Sequence, residues 1–248
     1  MRLAGKTAII TGAASGFGAG IAEKFVAEGC RVMVADINGP GAEDIAHRLG
    51  DTATPQQVDV AEGTSVEAMV DAAQQAWGQI DIMINNAGVT HLPTALEDVT
   101  EDDFDRVMAV NMKSVYLTAR ALIPIMKARG AGVILNVAST AGVSPRPRLN
   151  WYNASKGWMI TATKAMAVEL APQGIRVNAL NPVAGETPLL KSFMGKDTPE
   201  VRAKFLSTIP LGRFSTPQDM ANAACFLCSD EASMITGVAL EVDGGRCI

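Results

Sequence analysis

The stretch KTAIITGAASGFGAGIAEKFVAEG, residues 6–29, reads as strand, glycine turn and helix. KTAIIT (6–11) is short, apolar and rich in β-branched residues, which suits a strand, whereas GIAEKFVAEG (20–29) has the spacing of an amphipathic helix. Between them TGAASGFG (11–18) places glycines at 12, 16 and 18. Glycines between a strand and a helix let the backbone approach an anionic group closely, and the helix N-terminus stabilises that charge.

Working outward, the same alternation recurs along the chain. RVMVAD (31–36), QQVDV (56–60), IDIMIN (80–85), GVILNV (132–137), IRVNAL (175–180) and VALEVD (238–243) read as strands. Helical patterns fall at about 42–49, 63–77, 101–127, 152–170 and 217–228. Strands that are almost continuously apolar are buried on both faces. The expected fold is therefore α/β, a single-domain Rossmann-like doubly wound parallel sheet of about seven strands with helices on both faces. The one long interruption, 182–216, carries Pro, Gly and apolar residues and reads as a substrate-binding lid.

Composition agrees with a globule that has a sizeable core: 48% of the 248 residues are apolar and 19% charged. A formal charge of −5 with scattered basic residues gives no field that would gather nucleic acid. No apolar run approaches the roughly 20 residues of a membrane span, and Met1 leads into a strand without a signal-peptide pattern, so a cytoplasmic location is expected. Cys225 and Cys228 form a C-x-x-C within an apolar helical run, which reads as buried thiols. No metal site is expected.

The glycine turn raises the expectation of a bound dinucleotide, with Gly12, Ser15, Gly16, Phe17 and Gly18 around the pyrophosphate. Asp36 ends the second strand, where a carboxylate can accept both hydroxyls of an adenosine ribose and repel a 2′-phosphate. No Arg or Lys at 13–17 or 37–40 offers that phosphate a partner, so NAD is favoured over NADP.

WYNASK (151–156) places Tyr152 and Lys156 four residues apart, hence on one helical face. A phenol with its ordinary pKa near 10 is a poor base, and bringing it to about 7 requires roughly 4 kcal/mol of selective phenolate stabilisation. A partly desolvated ammonium can supply part of that. Taken alone the pair describes a snorkelling lysine beside a ring, but it lies downstream of NNAG (85–88), Asn111 and Ser139. All but Asn111 fall at strand ends or helix starts, the edge where open parallel sheets bind ligands.

Together TGAASGFG, Asp59-Val60, NNAG, Asn111, Ser139 and YNASK resemble the short-chain dehydrogenases/reductases of the roughly 250-residue type, over nearly the whole chain. The resemblance implies that Tyr152 exchanges a proton with an alcohol or carbonyl oxygen. Lys156 would lower the tyrosine pKa and hold the nicotinamide ribose, Ser139 would bond the reacting oxygen, and Asn111 would hold a relaying water. It also implies Asp59 and Val60 beside adenine, and Asn86 with Gly88 along the cofactor. In place of the family's Pro-Gly after the sixth strand stand Pro182 and Val183, with Thr187 placed to reach the carboxamide and Gly185 to restore backbone freedom. A homotetramer is implied as well, packed through the helices near 101–127 and 152–170.

The expected function is NAD-dependent interconversion of a small-molecule alcohol and its ketone or aldehyde. A 3-oxoacyl thioester reductase and a non-catalytic dinucleotide sensor are the alternatives. TAGVSPRPRLNW (140–151) holds two arginines, each preceded by a proline. Arg146 or Arg148 could pair with an anionic group on the substrate, or simply decorate a solvated loop. Trp151, Phe193 and Met194 could form an apolar wall. His91 stands near the cleft and His47 on an exposed helix face.

Overall fold

The computed structural model describes residues 1–248. Seven strands form one sheet: β1 (Thr7–Thr11), β2 (Arg31–Asp36), β3 (Ala53–Gln57), β4 (Ile82–Asn85), β5 (Gly132–Val137), β6 (Ile175–Pro182) and β7 (Ala239–Val242). Their spatial order is β3-β2-β1-β4-β5-β6-β7 and every pairing is parallel. The direction of winding reverses between β1 and β4, where the two central strands diverge towards their following helices.

Alternation within each strand divides the core in two. Ala8, Ile10, Val32, Val34, Ile82, Ile84, Leu135 and Leu180 point to one face, under α1 (Gly16–Ala27), α2 (Gly39–Leu49) and the helix 217–228. Ile9, Met33, Met83, Ile134 and Val177 point to the other, under α3 (Gly63–Trp77) and the helices 114–129 and 150–170. Because both faces of the sheet are covered, its strands lack the polar alternation of a half-exposed sheet. The remaining helices, in chain order, are α4 (Glu101–Met108), α5 (Ser114–Arg129), α6 (Asn150–Leu170), α7 (Leu190–Met194), α8 (Pro199–Leu206) and α9 (Pro217–Cys228).

Two elements depart from the sequence expectation. The third strand runs over 53–57 rather than 56–60. ATPQQ is an edge strand with mostly exposed side chains and a proline, so it shows no apolar run, and the apolar Val58 and Val60 belong to the turn beyond it. The expected helix 101–127 is interrupted by a wider π-helical segment at Ala109–Lys113, which separates α4 from α5 and contains Asn111. Within 182–216 lie the two short helices α7 and α8, whose apolar residues join Val183, Ile209 and Phe214 in a small cluster of their own.

A chain of polar side chains crosses the core beside β4 and β5. Thr118 donates to Asn85 at 2.9 Å, Asn85 to Asn136 at 2.9 Å, and Asn136 to Thr163 at 2.9 Å. Thr163 closes the chain on the Met159 carbonyl at 2.8 Å. All four residues are buried, and the links tie α5 and α6 to the two strands.

Candidate active site

A cavity of about 480 Å³ opens at the carboxyl ends of the strands. Its nucleotide end begins at Gly12, with φ +64; a Cβ there would stand 2.8 Å from the Ala87 Cα, so glycine is required for conformation and for space. Asn86 donates to the Thr11 and Gly12 carbonyls at 2.8 and 3.0 Å, while Thr11 Oγ1 accepts the Asn86 and Ala87 N–H groups at 3.2 Å. These bonds fix the turns after β1 and β4 to each other. Ser15, the N-cap of α1, makes no capping bond, and the first turn has no acidic residue. The positive end of α1 is thereby left for a ligand.

Ser15, Gly16, Phe17, Asp36, Asp59, Val60, Asn86 and Gly88 all line this cavity. Gly18 does not: it lies within α1, where a Cβ would drive into the Gly12 carbonyl oxygen, so it serves helix-to-turn packing. Asp36 accepts the Ala14 N–H on Oδ2 and the Asn38 N–H on Oδ1, each at 2.9 Å. It braces the glycine turn and still presents its carboxylate to the cavity.

Ser139, Tyr152 and Lys156 meet on the opposite wall of the same cavity. Tyr152 and Lys156 are one turn apart on α6, and the ammonium stands 5.8 Å from the ring centroid. Lys156 donates to the Val137 carbonyl at 2.8 Å. Ser139 follows β5 and its oxygen accepts the Ala141 N–H at 3.0 Å, which leaves its proton for a partner in the cavity. Gly88 flanks this corner, where a Cβ would be in ordinary contact with Lys156 Nζ at 3.4 Å.

Burial disfavours both charged forms in the protein alone. It pushes the Tyr152 phenol up to about 12, against the opposing effect of the Ser139 hydroxyl. It brings the Lys156 ammonium down to about 8.

Asn111 is fully buried and does not line the cavity. Its Nδ2 donates to the Val89 carbonyl at 2.9 Å and to Ser155 Oγ at 3.0 Å, while its Oδ1 accepts the Val89 N–H at 2.9 Å. The side chain therefore clamps the Gly88–Val89 backbone to α6, with both of its amide protons engaged.

The loop after β6 also differs from expectation. Val183 and Thr187 line the cavity, but Gly185 has no positive φ and so supplies no left-handed turn. A Cβ at Gly185 would collide with the Phe17 ring and come within 2.8 Å of Ser215 Oγ. The position requires absence of bulk, not backbone freedom.

Among the substrate candidates, Arg146 and Phe193 line the cavity. Trp151, expected in its wall, packs edge-on against Phe104 at 5.2 Å outside it, because it lies on a different face of α6 from Tyr152. Arg148 is exposed with φ 66, Met194 joins the small cluster under the loop, and His91 is buried outside the lining. His47 is exposed. Cys30, Cys225 and Cys228 are free and buried, with burial raising each thiol pKa, and no cluster of metal-ligating side chains forms.

Sequence reasoning missed Thr11, Ser155 and Phe205. Thr11 acts through bonds to the turn after β4, and Ser155 by accepting from Asn111 in the π-helical segment, and nothing in their neighbours announces such partners. Phe205 lies in a polar-looking helix, α8, and faces the cavity through tertiary placement alone.

Residues 12–246 match the family model described as enoyl-(acyl carrier protein) reductase. The chain is 50% identical to 4-formylbenzenesulfonate dehydrogenase of Comamonas testosteroni, covering all of both chains. It is 38% identical to a 3-oxoacyl-[acyl-carrier-protein] reductase of Thermotoga maritima, again over the whole of both. The crystal structure of a 3-ketoacyl-(acyl-carrier-protein) reductase from Brucella melitensis, complexed with NADH, superimposes with a TM-score of 0.95 at 52% identity, covering 99% of this chain and 100% of that one. The protein belongs to the short-chain dehydrogenase/reductase family. It is an oxidoreductase of that family.

Proposed function

We propose that the protein interconverts an alcohol and its aldehyde or ketone with NAD as hydride partner. One observation carries this reading: a single cavity joins the glycine turn and the Asp36 carboxylate to Ser139, Tyr152 and Lys156. The residues fit a dinucleotide, since the start of α1 is uncapped and Gly12, Gly16 and Gly88 leave room that side chains would fill. Gly12, Ser15, Gly16 and Phe17 would hold the pyrophosphate, Asp36 the adenosine ribose, Asp59 and Val60 the adenine, and Asn86, Gly88, Val183 and Thr187 the nicotinamide half. When bound, the nicotinamide accepts or gives the hydride.

Tyr152 holds the proton that moves. With its pKa raised by burial, the phenol is protonated at neutral pH, the form that can donate to a carbonyl oxygen. Alcohol oxidation needs the phenolate instead, which a charged Lys156 stabilises. Ser139 donates to the reacting oxygen and holds it beside the phenol. Asn111 acts one step back, by fixing Gly88 and Val89 against α6.

The Comamonas relative's name describes a dehydrogenase acting on an aldehyde, which supports an aldehyde as a substrate of this site, and the NADH in the Brucella structure supports the cofactor. Asp36 supports NAD over NADP, because its charge opposes a 2′-phosphate. Segment 182–216 acts as a lid, a role supported by Thr187, Phe193 and Phe205 on the cavity wall. Exposed Tyr116 and Trp158, which share a shallow apolar depression with Met108 and Met112, support subunit contact through α5 and α6.

The test is NADH fluorescence titration followed by turnover of a panel of alcohols and aldehydes. Tight NADH binding with aldehyde reduction is expected. Preference for NADPH, or binding without turnover of any alcohol or aldehyde, overturns the reading. A second reading, 3-oxoacyl thioester reduction, is favoured by the two reductases so named among the relatives. Acetoacetyl thioester reduction faster than that of every simple aldehyde would establish it.

A further inference from the structure

The cavity wall built by 139–153 and 193–208 carries a positive charge that nothing in the chain neutralises. Arg146 lies with its guanidinium carbon 4.4 Å from the Phe205 ring centroid and donates through Nη2 to Thr208 Oγ1 at 3.0 Å. It forms no ion pair. Two arginines in or beside this segment are matched, Arg202 with Glu186 and Asp197 and Arg213 with Asp219. The remaining guanidinium nitrogens of Arg146 have no partner in the chain, and they are not sealed in the interior either. Arg146 lines the cavity.

The surroundings add to this charge. Arg246 donates to Ser144 Oγ at 3.0 Å, Ser144 lines the same cavity, and Arg246 forms no ion pair. Burial, and then Arg246, both push the Arg146 guanidinium pKa below its ordinary value, as expected of a cation held among apolar groups beside a like charge. Such a site lowers its free energy when an anion enters. The path from Arg146 to the reacting centre is aromatic: Phe205 lies under the guanidinium, and Phe193 meets the Tyr152 ring edge-on at 5.0 Å between centroids.

Building on the dehydrogenase reading, we propose that Arg146 binds an oxyanion, carboxylate or sulfonate, carried by an aromatic substrate whose carbinol or carbonyl carbon is held at Tyr152. The stacking on Phe205 and the bond to Thr208 fix the plane of the guanidinium. Its free edge is thereby presented in the fork geometry that suits an oxyanion. Arg148, two residues away, is exposed and takes no part.

The test uses the NADH complex and three alcohols that cannot react with it: 4-(hydroxymethyl)benzoate, 4-(hydroxymethyl)benzenesulfonate and benzyl alcohol. Calorimetric titration of the wild-type complex is expected to show both anions bound at least about tenfold more tightly than benzyl alcohol. In Arg146→Gln that preference disappears, and in Arg146→Lys, which keeps the charge without the fork, it is reduced. With NAD, the ratio of kcat/KM for the charged over the neutral alcohol falls roughly 10- to 100-fold in Arg146→Gln, chiefly through KM. A wild-type complex with no preference for the anions, or an Arg146→Gln variant that keeps it, overturns the proposal. Equal loss on charged and neutral alcohols does the same, since it marks a structural role. Should Arg146→Gln fail to fold, Arg146→Met, which keeps the stem against Phe205, makes the same comparison. Absence of turnover on every alcohol, with the anion preference intact, instead defeats the dehydrogenase reading.

Discussion

The two ends of the cavity are built by different means. At the nucleotide end the walls are backbone: Gly12, Gly16 and the turn at 86–88, held by bonds from Asn86 and Thr11 to main-chain atoms. At the substrate end the walls are side chains, Arg146, Phe193 and Phe205, brought from a loop and two short helices. At the closest backbone approach, Gly12, no substitution fits, because an added carbon would stand 2.8 Å from the Ala87 Cα. Side-chain walls can be exchanged singly, so under the proposed function the nucleotide end would keep the cofactor while the other end would set the substrate.

That contrast can be broken experimentally. The largest effect is expected from Tyr152→Phe, which removes the proton carrier between the two ends. Turnover should fall by about 10³-fold while NADH affinity stays within a few-fold of wild type, as measured by initial rates and fluorescence titration. Unchanged turnover would remove Tyr152 from the chemistry.

Next comes the nucleotide end. Asp36→Ala should shift the ratio of NADP to NAD turnover upward by about tenfold or more, because a like charge facing the 2′-phosphate is gone. The same change loosens the glycine turn through the lost bond to Ala14, so NAD affinity should fall as well. Steady-state rates with both cofactors decide it.

The pH response sharpens the comparison from the other end. A phenol raised to about 12 is in its protonated form at neutral pH, so carbonyl reduction should hold up there and alcohol oxidation, which needs the phenolate, should accelerate into the alkaline range. Stability of the cofactor-free protein should respond too. Lys156 is near 8 when folded and near 10.4 when unfolded, so between those values the unfolded chain holds more protons and stability from this residue rises with pH. Above about pH 10, Tyr152 acts in the reverse sense, because its folded form keeps a proton that the unfolded chain releases. Thermal unfolding of Lys156→Met should lack the rise between about pH 8 and 10.

The smallest change lies away from both ends. Thr216 caps α9 reciprocally with Asp219, which Arg213 also holds as a carboxylate well below its usual range. Thr216→Ala should cost about 1 kcal/mol in denaturant unfolding and leave kcat unaltered.

Sequence legibility followed the same division. The glycine turn and the strand of Asp36 could be read because local composition alone dictates them, and Tyr152 with Lys156 because helical spacing does. The third strand was misplaced, since an edge strand need not be apolar and ATPQQ is not. The π segment at 109–113 left no mark in a continuous helical pattern. Trp151 reads as part of an apolar wall and Arg146 as an anion partner or a solvated loop residue, and only the rotation of α6 and the course of the 140–150 loop put the second in the cavity and the first outside it. Gly185 looked like a hinge until the Phe17 ring was found against it.

The Thr118–Asn85–Asn136–Thr163 chain has a consequence for how this protein can change over generations. Each amide or hydroxyl satisfies its neighbour, so replacing one member by an apolar residue strands a polar group in a dry interior. Single steps away from the arrangement are costly, whereas replacing the set at once is not. Descendants of this chain should therefore inherit the four positions as a block, even where the residues that choose the substrate have drifted.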